Sequence, residues 1–303
     1  MPVVAITQDL RSIEHAVAAA LEKLPLDDLV RRKLVAIKPN ETYATANDCT
    51  GVTQPDTLRA VIQQIKRFGP RQIVVTGGSG AAKTDQVFRV AGLMEVVEDE
   101  GVDFCDHNQP PFAEIELGYA PQLDVAGPQK SVMVNAHVLG YETLIVVSQL
   151  KMHETATVTL ALKNIAMSYP AAEYYGYPRS KQKHEHQFFD DMHSFIAAMA
   201  KRFPIQLAVT VGHPAMIATG PLGGHVVETG ICIASTDALA ADVVGARLLG
   251  FDVQGVHHLW EAARLGVGES DLDKIDFPAM SLQDAIEAYT MAAYGERLTF
   301  EHA

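Results

Sequence analysis

The chain is poor in cysteine, short of positive charge and without any long apolar run. Its three cysteines, Cys49, Cys105 and Cys232, are odd in number and far apart. That fits reduced thiols better than a disulfide framework and leaves too few ligands for a four-cysteine cluster, so no intrinsic iron–sulfur cluster is expected. Lysine and arginine number 24 against 37 acidic residues, a net charge of −13. A protein that neutralises a phosphate backbone needs a basic surface, so nucleic acid is not an expected partner. A basic pocket inside an acidic shell would favour small anions instead. No apolar stretch approaches the roughly 20 residues of a membrane helix. The start, Met1-Pro-Val-Val-Ala-Ile-Thr7, lacks the basic region and apolar core of a signal peptide. A cytoplasmic protein with no membrane partner is therefore expected. What remains is ordinary globular composition, 48% apolar and 20% charged over 303 residues. That suits one large α/β domain or two intimately packed lobes.

Short apolar runs alternate with helical periodicity. Val3 to Ile6 reads as a strand, followed by a helix through Ile13, Val17, Ala20, Leu21 and Leu24. Leu34 to Ile37 is a second strand, and Pro55 is placed as the first residue of a helix carrying Leu58, Val61, Ile62 and Ile65. Gln72 to Val75, Val102 to Cys105, Leu144 to Val147, Gln206 to Val211 and Val226 to Ala234 are further strands. Phe112 to Leu117, Gln122 to Val125 and Ser131 to Asn135 read as short, antiparallel pieces on an insertion or sheet edge. Tyr169 to Arg179 reads as a loop; helices are expected over Glu185 to Arg202, Ala238 to Leu249, Val256 to Arg264 and Leu282 to Ala293. The fold class is α/β: a mostly parallel sheet with helices on both faces, in two packed lobes with a cleft between them. With no linker or repeat in view, residues 1–303 form one unit, its lobes dividing near 140 and 141.

The segment Ser148 to Asn164 carries the densest chemistry. It sets Lys151, His153, Lys163 and Asn164 just beyond an apolar strand, the position from which open α/β sheets address ligands. Unpaired lysines are rare in cores, so a cationic pair there points to a carboxylate or phosphate. His153 would titrate near neutral pH as acid, base or metal ligand. Thr159 and Lys163, four apart, are expected on one helical face. Lys38 and Asn40 flank Pro39 at a strand exit and read as an anion-binding ammonium with an orienting amide. Gly78, Ser79 and Gly80 lie in a glycine turn that nearly makes a phosphate loop, with Ala82 where that pattern needs glycine. Gly220 and Pro221 form a turn suited either to close ligand approach or to a plain hairpin. Asp237 reads as a ligand contact or as the N-cap of the next helix. Asp242, among alanines and valines, is expected to pair with a lysine or histidine, Lys38, Lys151 and Lys163 being the candidates. His184 and His186 belong to a histidine-rich stretch in which His186, Asp190 and His193 share a helical face. A divalent metal is the cofactor that stretch admits, an acidic solvated face its alternative. His257 and His258 read as a surface pair.

Taken in order, Val35-Ala-Ile-Lys-Pro-Asn40, Gly77-Gly-Ser-Gly80 with Val87 to Gly92, and Leu150-Lys-Met-His153 with Leu160-Ala-Leu-Lys-Asn164 form a set. Gly220-Pro-Leu-Gly-Gly224 and Ala234 to Asp242 complete it. The set resembles the domain of unknown function 362 family over residues 33 to 268. The resemblance implies no particular chemistry. Some members of that family carry a ferredoxin-like module with two four-cysteine clusters; this chain has no such cysteine run.

Together these residues predict an enzyme acting on a small anionic metabolite, by proton transfer or with a metal. Lysines would bind the anion, His153 handle the proton and Asp242 orient a lysine. The alternatives are a redox accessory or electron-transfer partner, which the resemblance to members carrying a ferredoxin-like module implies, and a non-catalytic metal or metabolite sensor. The acidic, helix-rich surface is compatible with a homodimer.

Overall fold

A computed structural model describes residues 1–118, 131–177 and 192–298. Its strands are β1 (Val4–Gln8), β2 (Leu34–Pro39), β3 (Gln72–Gly77), β4 (Asp103–Asp106), β5 (Phe112–Glu116) and β6 (Ser131–Asn135). They continue as β7 (Thr143–His153), β8 (Thr157–Thr159), β9 (Leu207–Ile217), β10 (His225–Val227) and β11 (Ile231–Ser235). One sheet runs in the order β1-β11-β9-β7-β2-β3-β4, with β8 added to β7 and β10 to β9; β5 and β6 pair separately and antiparallel. From β9 through β7, β2 and β3 to β4 every pairing is parallel, while β11 and β1 close the other edge antiparallel.

The alternation of side chains explains why the strands were legible. On β2, Val35 and Ile37 enter one core and Ala36 the other; on β7, Ile145 and Val147 oppose Leu144 and Val146. A parallel strand buried on both faces has to be apolar throughout, and it then reads as a continuous run. One face is covered by the helices Ile13–Leu21, Pro55–Lys66, Thr84–Val90 and Leu93–Asp99. The other is covered by Ala161–Ser168, Met192–Arg202, Ala238–Leu248, His257–Arg264 and Leu282–Tyr294. The mostly parallel, double-covered sheet is thus as expected.

Local departures have local causes. The strand expected to end at Val147 runs on to His153. The extension is held by β8, folding back with Lys151 opposite Thr159, and by β9, with Met216 beside Lys151. Ladder partners on both sides let polar residues stay in strand. Thr159 therefore lies on β8 and Lys163 on the helix Ala161–Ser168, so the two do not share a helical face. The run Val226 to Ala234 is divided into β10 and β11, which pair with β9 on either side of its Gly212–Pro214 stretch. Inside the expected Tyr169 to Arg179 loop, Ala172–Tyr175 forms one helical turn. Gln122 to Val125 and the start of the Glu185 to Arg202 helix lie outside the described residues.

The connections of β2 and β7 place the site. These strands are neighbours, yet the chain leaves β2 for β3 through Pro55–Lys66 on one face. It leaves β7 for β9 through Ala161–Ser168 and Met192–Arg202 on the other. Such a switch point opens a crevice beyond the carboxyl ends of the strands.

Candidate functional site

At the end of β2, Lys38 is fully buried and spends its ammonium internally. It ion-pairs with Glu41 and donates to Asn164 Oδ1 at 3.0 Å. Glu41, also buried, ties the crevice together: its Oε1 accepts from the Gly78 amide at 2.9 Å and the Ser168 hydroxyl at 3.1 Å. Ser79 Oγ donates to the Glu41 carbonyl at 2.7 Å, and the Ser79 amide is directed to Thr84 Oγ1 at 3.3 Å. The amides of Gly78 and Ser79 are therefore not free to cradle a phosphate. Glycine at 78 has a packing cause, since a Cβ there would lie 2.1 Å from the Ser168 carbonyl. Glu41 escaped the sequence reading because it stands in a polar loop with no periodicity to mark it as buried.

β7 supplies the next two groups. Lys151 Nζ donates to Asn40 Oδ1 at 2.9 Å and to the Gly51 carbonyl at 2.6 Å. Asn40 is itself pinned by exchange with Thr53, whose hydroxyl and amide each make a 2.8 Å bond to it. Burial, then the nearby Lys163 charge, pushes the Lys151 ammonium down to about 7, with Glu41 pulling the other way. His153 departs from the near-neutral titration expected of it: burial and the two lysines push it down to about 3. Its Nδ1 accepts from the Thr155 amide at 3.1 Å and the Ala156 amide at 3.2 Å. The neutral ring therefore carries its proton on Nε2 and acts as a donor, not as a base.

The helix Ala161–Ser168 presents two faces. Asn164 and Ser168, four apart, turn toward Lys38 and Glu41; Lys163 and Met167, four apart, turn into a pocket. Lys163 is only 6% exposed and, among the described residues, has no hydrogen bond or ion pair. Burial pushes it down to about 7. The helix has no cap from its own N-cap residue, Leu160. Asp242 supplies one from the neighbouring helix, taking the Ala161 amide at 2.8 Å and the Leu162 amide at 2.9 Å. This corrects the expectation that Asp242 pairs with a lysine or histidine. A carboxylate satisfies two unpaired amides at a helix start and complements its dipole, so it needs no cation. Burial pushes it up to about 7 while those amides pull it back. We expect Asp242→Ala to cost about 2–3 kcal/mol in urea unfolding, with Asp242→Asn losing less because one acceptor survives. Equal stability of Asp242→Ala and the parent would show that this cap does not hold the helix.

The pocket, about 240 Å³, is lined by Thr42, Tyr43, Gly80, Ala81, Lys151, His153, Glu154, Thr155, Thr159, Lys163, Met167, Met192, Pro221 and Leu222. Of the residues singled out from sequence, Gly80, Lys151, His153, Lys163 and Pro221 reach it. Lys38, Asn40, Gly78, Ser79 and Asn164 lie behind it and hold its walls. Gly220 packs on β7, where a Cβ would lie 2.1 Å from the Met152 carbonyl. Asp237 serves as the N-cap, accepting from the Ala240 amide at 3.0 Å and the Glu269 amide at 2.9 Å, away from this pocket. The Thr159 hydroxyl, on the lining, is buried without a hydrogen-bond partner.

Among the described residues no three His, Cys, Asp or Glu side chains are placed to hold a metal ion. His184, His186 and Asp190 lie outside the described residues. His258, expected at the surface, is buried and stacked on His193, with ring centroids 5.5 Å apart, while His257 stays partly exposed. No helix among the described residues is long and apolar enough to cross a membrane.

The architecture is thus that of an open α/β protein with a pocket lined by Lys151, His153, Glu154 and Lys163. The model of the domain of unknown function 362 matches residues 35–247, and the chain belongs to that family. No curated protein matches it.

Proposed function

We propose that the protein is an enzyme that binds a small anionic metabolite, a carboxylate or phosphate, in the pocket beyond β2 and β7. The observation that supports this reading best is Lys163, an almost fully buried amine facing the pocket with no partner among the described residues. A buried cation without a counter-ion is costly, and an anionic ligand removes that cost. Lys151, braced by Asn40 and Gly51, adds a second charge, and the Nε2–H of His153 adds a neutral donor. An amine that titrates near 7 can also exchange a proton at neutral pH. Proton transfer is therefore assigned to Lys163, with His153 orienting the ligand.

Titration calorimetry with inorganic phosphate and with malonate tests this. Binding is expected to take up protons around neutral pH, to weaken as pH rises above about 7, and to fall by about tenfold or more in Lys163→Met. If neither anion binds, or Lys163→Met binds as the parent does, the pocket is not an anion site.

A further inference from the structure

We infer that Lys163 is a nucleophilic amine that condenses with the carbonyl of a small 2-oxo acid, whose carboxylate is held by Lys151. This rests on the anion-binding reading and names the substrate class of the same pocket. The three buried lysines among the described residues make the contrast. Lys38 is neutralised by Glu41 and fixed by Asn164; Lys151 is fixed by Asn40 and the Gly51 carbonyl. Lys163 alone of the three is left unpaired, on the first turn of a helix whose start is clamped by Asp242. A lysine that only balanced charge would be expected to carry a carboxylate partner, as Lys38 does.

The surroundings suit carbonyl condensation. Met167, Met192, Pro221 and Leu222 give the pocket lining apolar surface, which disfavours hydrolysis of an imine. The unpartnered Thr159 hydroxyl and the His153 Nε2–H can serve the oxygen of the tetrahedral adduct. Burial keeps a useful fraction of the amine unprotonated at neutral pH, the usual route to an activated lysine.

The step balances without an oxidant or reductant. The Lys163 nitrogen lone pair forms the C–N bond as the carbonyl π pair moves to oxygen. The proton lost from nitrogen goes to that oxygen. The C–O bond then breaks, the hydroxyl leaving as water with a second proton from solvent, and the nitrogen lone pair forms the C=N bond of an iminium ion.

The test uses the full chain with pyruvate and sodium cyanoborohydride, followed by intact mass and peptide mapping. One reduced pyruvyl group is expected on Lys163, absent from Lys163→Arg, formed about tenfold or more faster than the adduct with acetone and blocked by malonate. Labelling confined to exposed lysines such as Lys201 would overturn the inference. Because the adduct is located in the parent chain, a poorly folded variant cannot obscure the result. Malonate binding that is lost in Lys163→Met, with no adduct, would leave the anion reading standing and remove the imine. An adduct at Lys163 with acetone as fast as with pyruvate, and no malonate binding, would overturn both the anion reading and the 2-oxo acid.

Discussion

Replacing Glu41 with alanine is expected to destabilise the protein by about 3–5 kcal/mol, a large part of what typically holds a domain folded. The carboxylate is the counter-ion of Lys38 and the acceptor for both the Gly78 amide and the Ser168 hydroxyl, all of them buried. Removing it takes the carboxylate from the Lys38 ammonium and an acceptor from two donors, all in a buried place. Most of the penalty comes from the ammonium that has lost its carboxylate. The double variant Glu41→Ala/Lys38→Met is therefore expected to recover most of the loss, since an apolar replacement for both members of a buried pair is nearly neutral. Urea midpoints of the four chains give the coupling directly. A Glu41→Ala chain within about 1 kcal/mol of the parent would mean that the pair contributes nothing beyond its desolvation cost.

Replacing Lys163 with methionine should stabilise the protein at low pH and lose that advantage as pH rises. Burial holds the Lys163 amine down to about 7. An unfolded lysine titrates near 10.4, so between about pH 7 and about pH 10 the unfolded chain binds more protons than the folded one. Stability contributed through Lys163 therefore rises with pH across that window. Below it both states carry the proton and the full cost of the buried charge is felt. Lys151 behaves in the same sense. His213, raised to about 10 between Asp56 and Glu228, runs the opposite way in the same window, and its partial exposure screens its share. The difference between parent and variant removes the His213 contribution and leaves, besides that of Lys163, only the part of the Lys151 shift that the Lys163 charge causes. Lys163→Met is expected to gain at least about 2 kcal/mol near pH 6, fading toward pH 10, and malonate should shrink the gain by stabilising the parent more than the variant. A variant less stable than the parent at the acidic end would show that Lys163 has a partner in the folded state. Such a site exchanges stability for binding, as functional sites commonly do.

Much of the fold was legible because the central stretches of β2, β3, β7 and β9 are buried on both faces and are largely apolar there. The helix starts were legible because Pro55 and Asp237 stand where a helix accepts them. The site was legible as a set of residues but not as a set of roles. Lys151, His153 and Lys163 stand out because charged groups beside an apolar strand are unusual. Nothing local says that β8 and β9 would hold β7 in strand as far as His153, or that Asp242 would reach across to cap the helix bearing Lys163.

By itself, then, the sequence determined an α/β protein of this family, its strands and most of its helices, and a concentration of lysine around β2 and β7. These depend on periodicity, capping and composition, which act over a few residues. Only the tertiary structure decided which lysine is neutralised, which is braced and which is left facing the pocket. It also decided that His153 stays neutral and that Glu41 links β2 to the glycine turn. Those outcomes depend on burial and on partners more than a hundred residues away, as with Lys151 and Asn40 or Lys38 and Asn164. Desolvation and charge pairing act through space, so their result is set only when the chain has closed on itself.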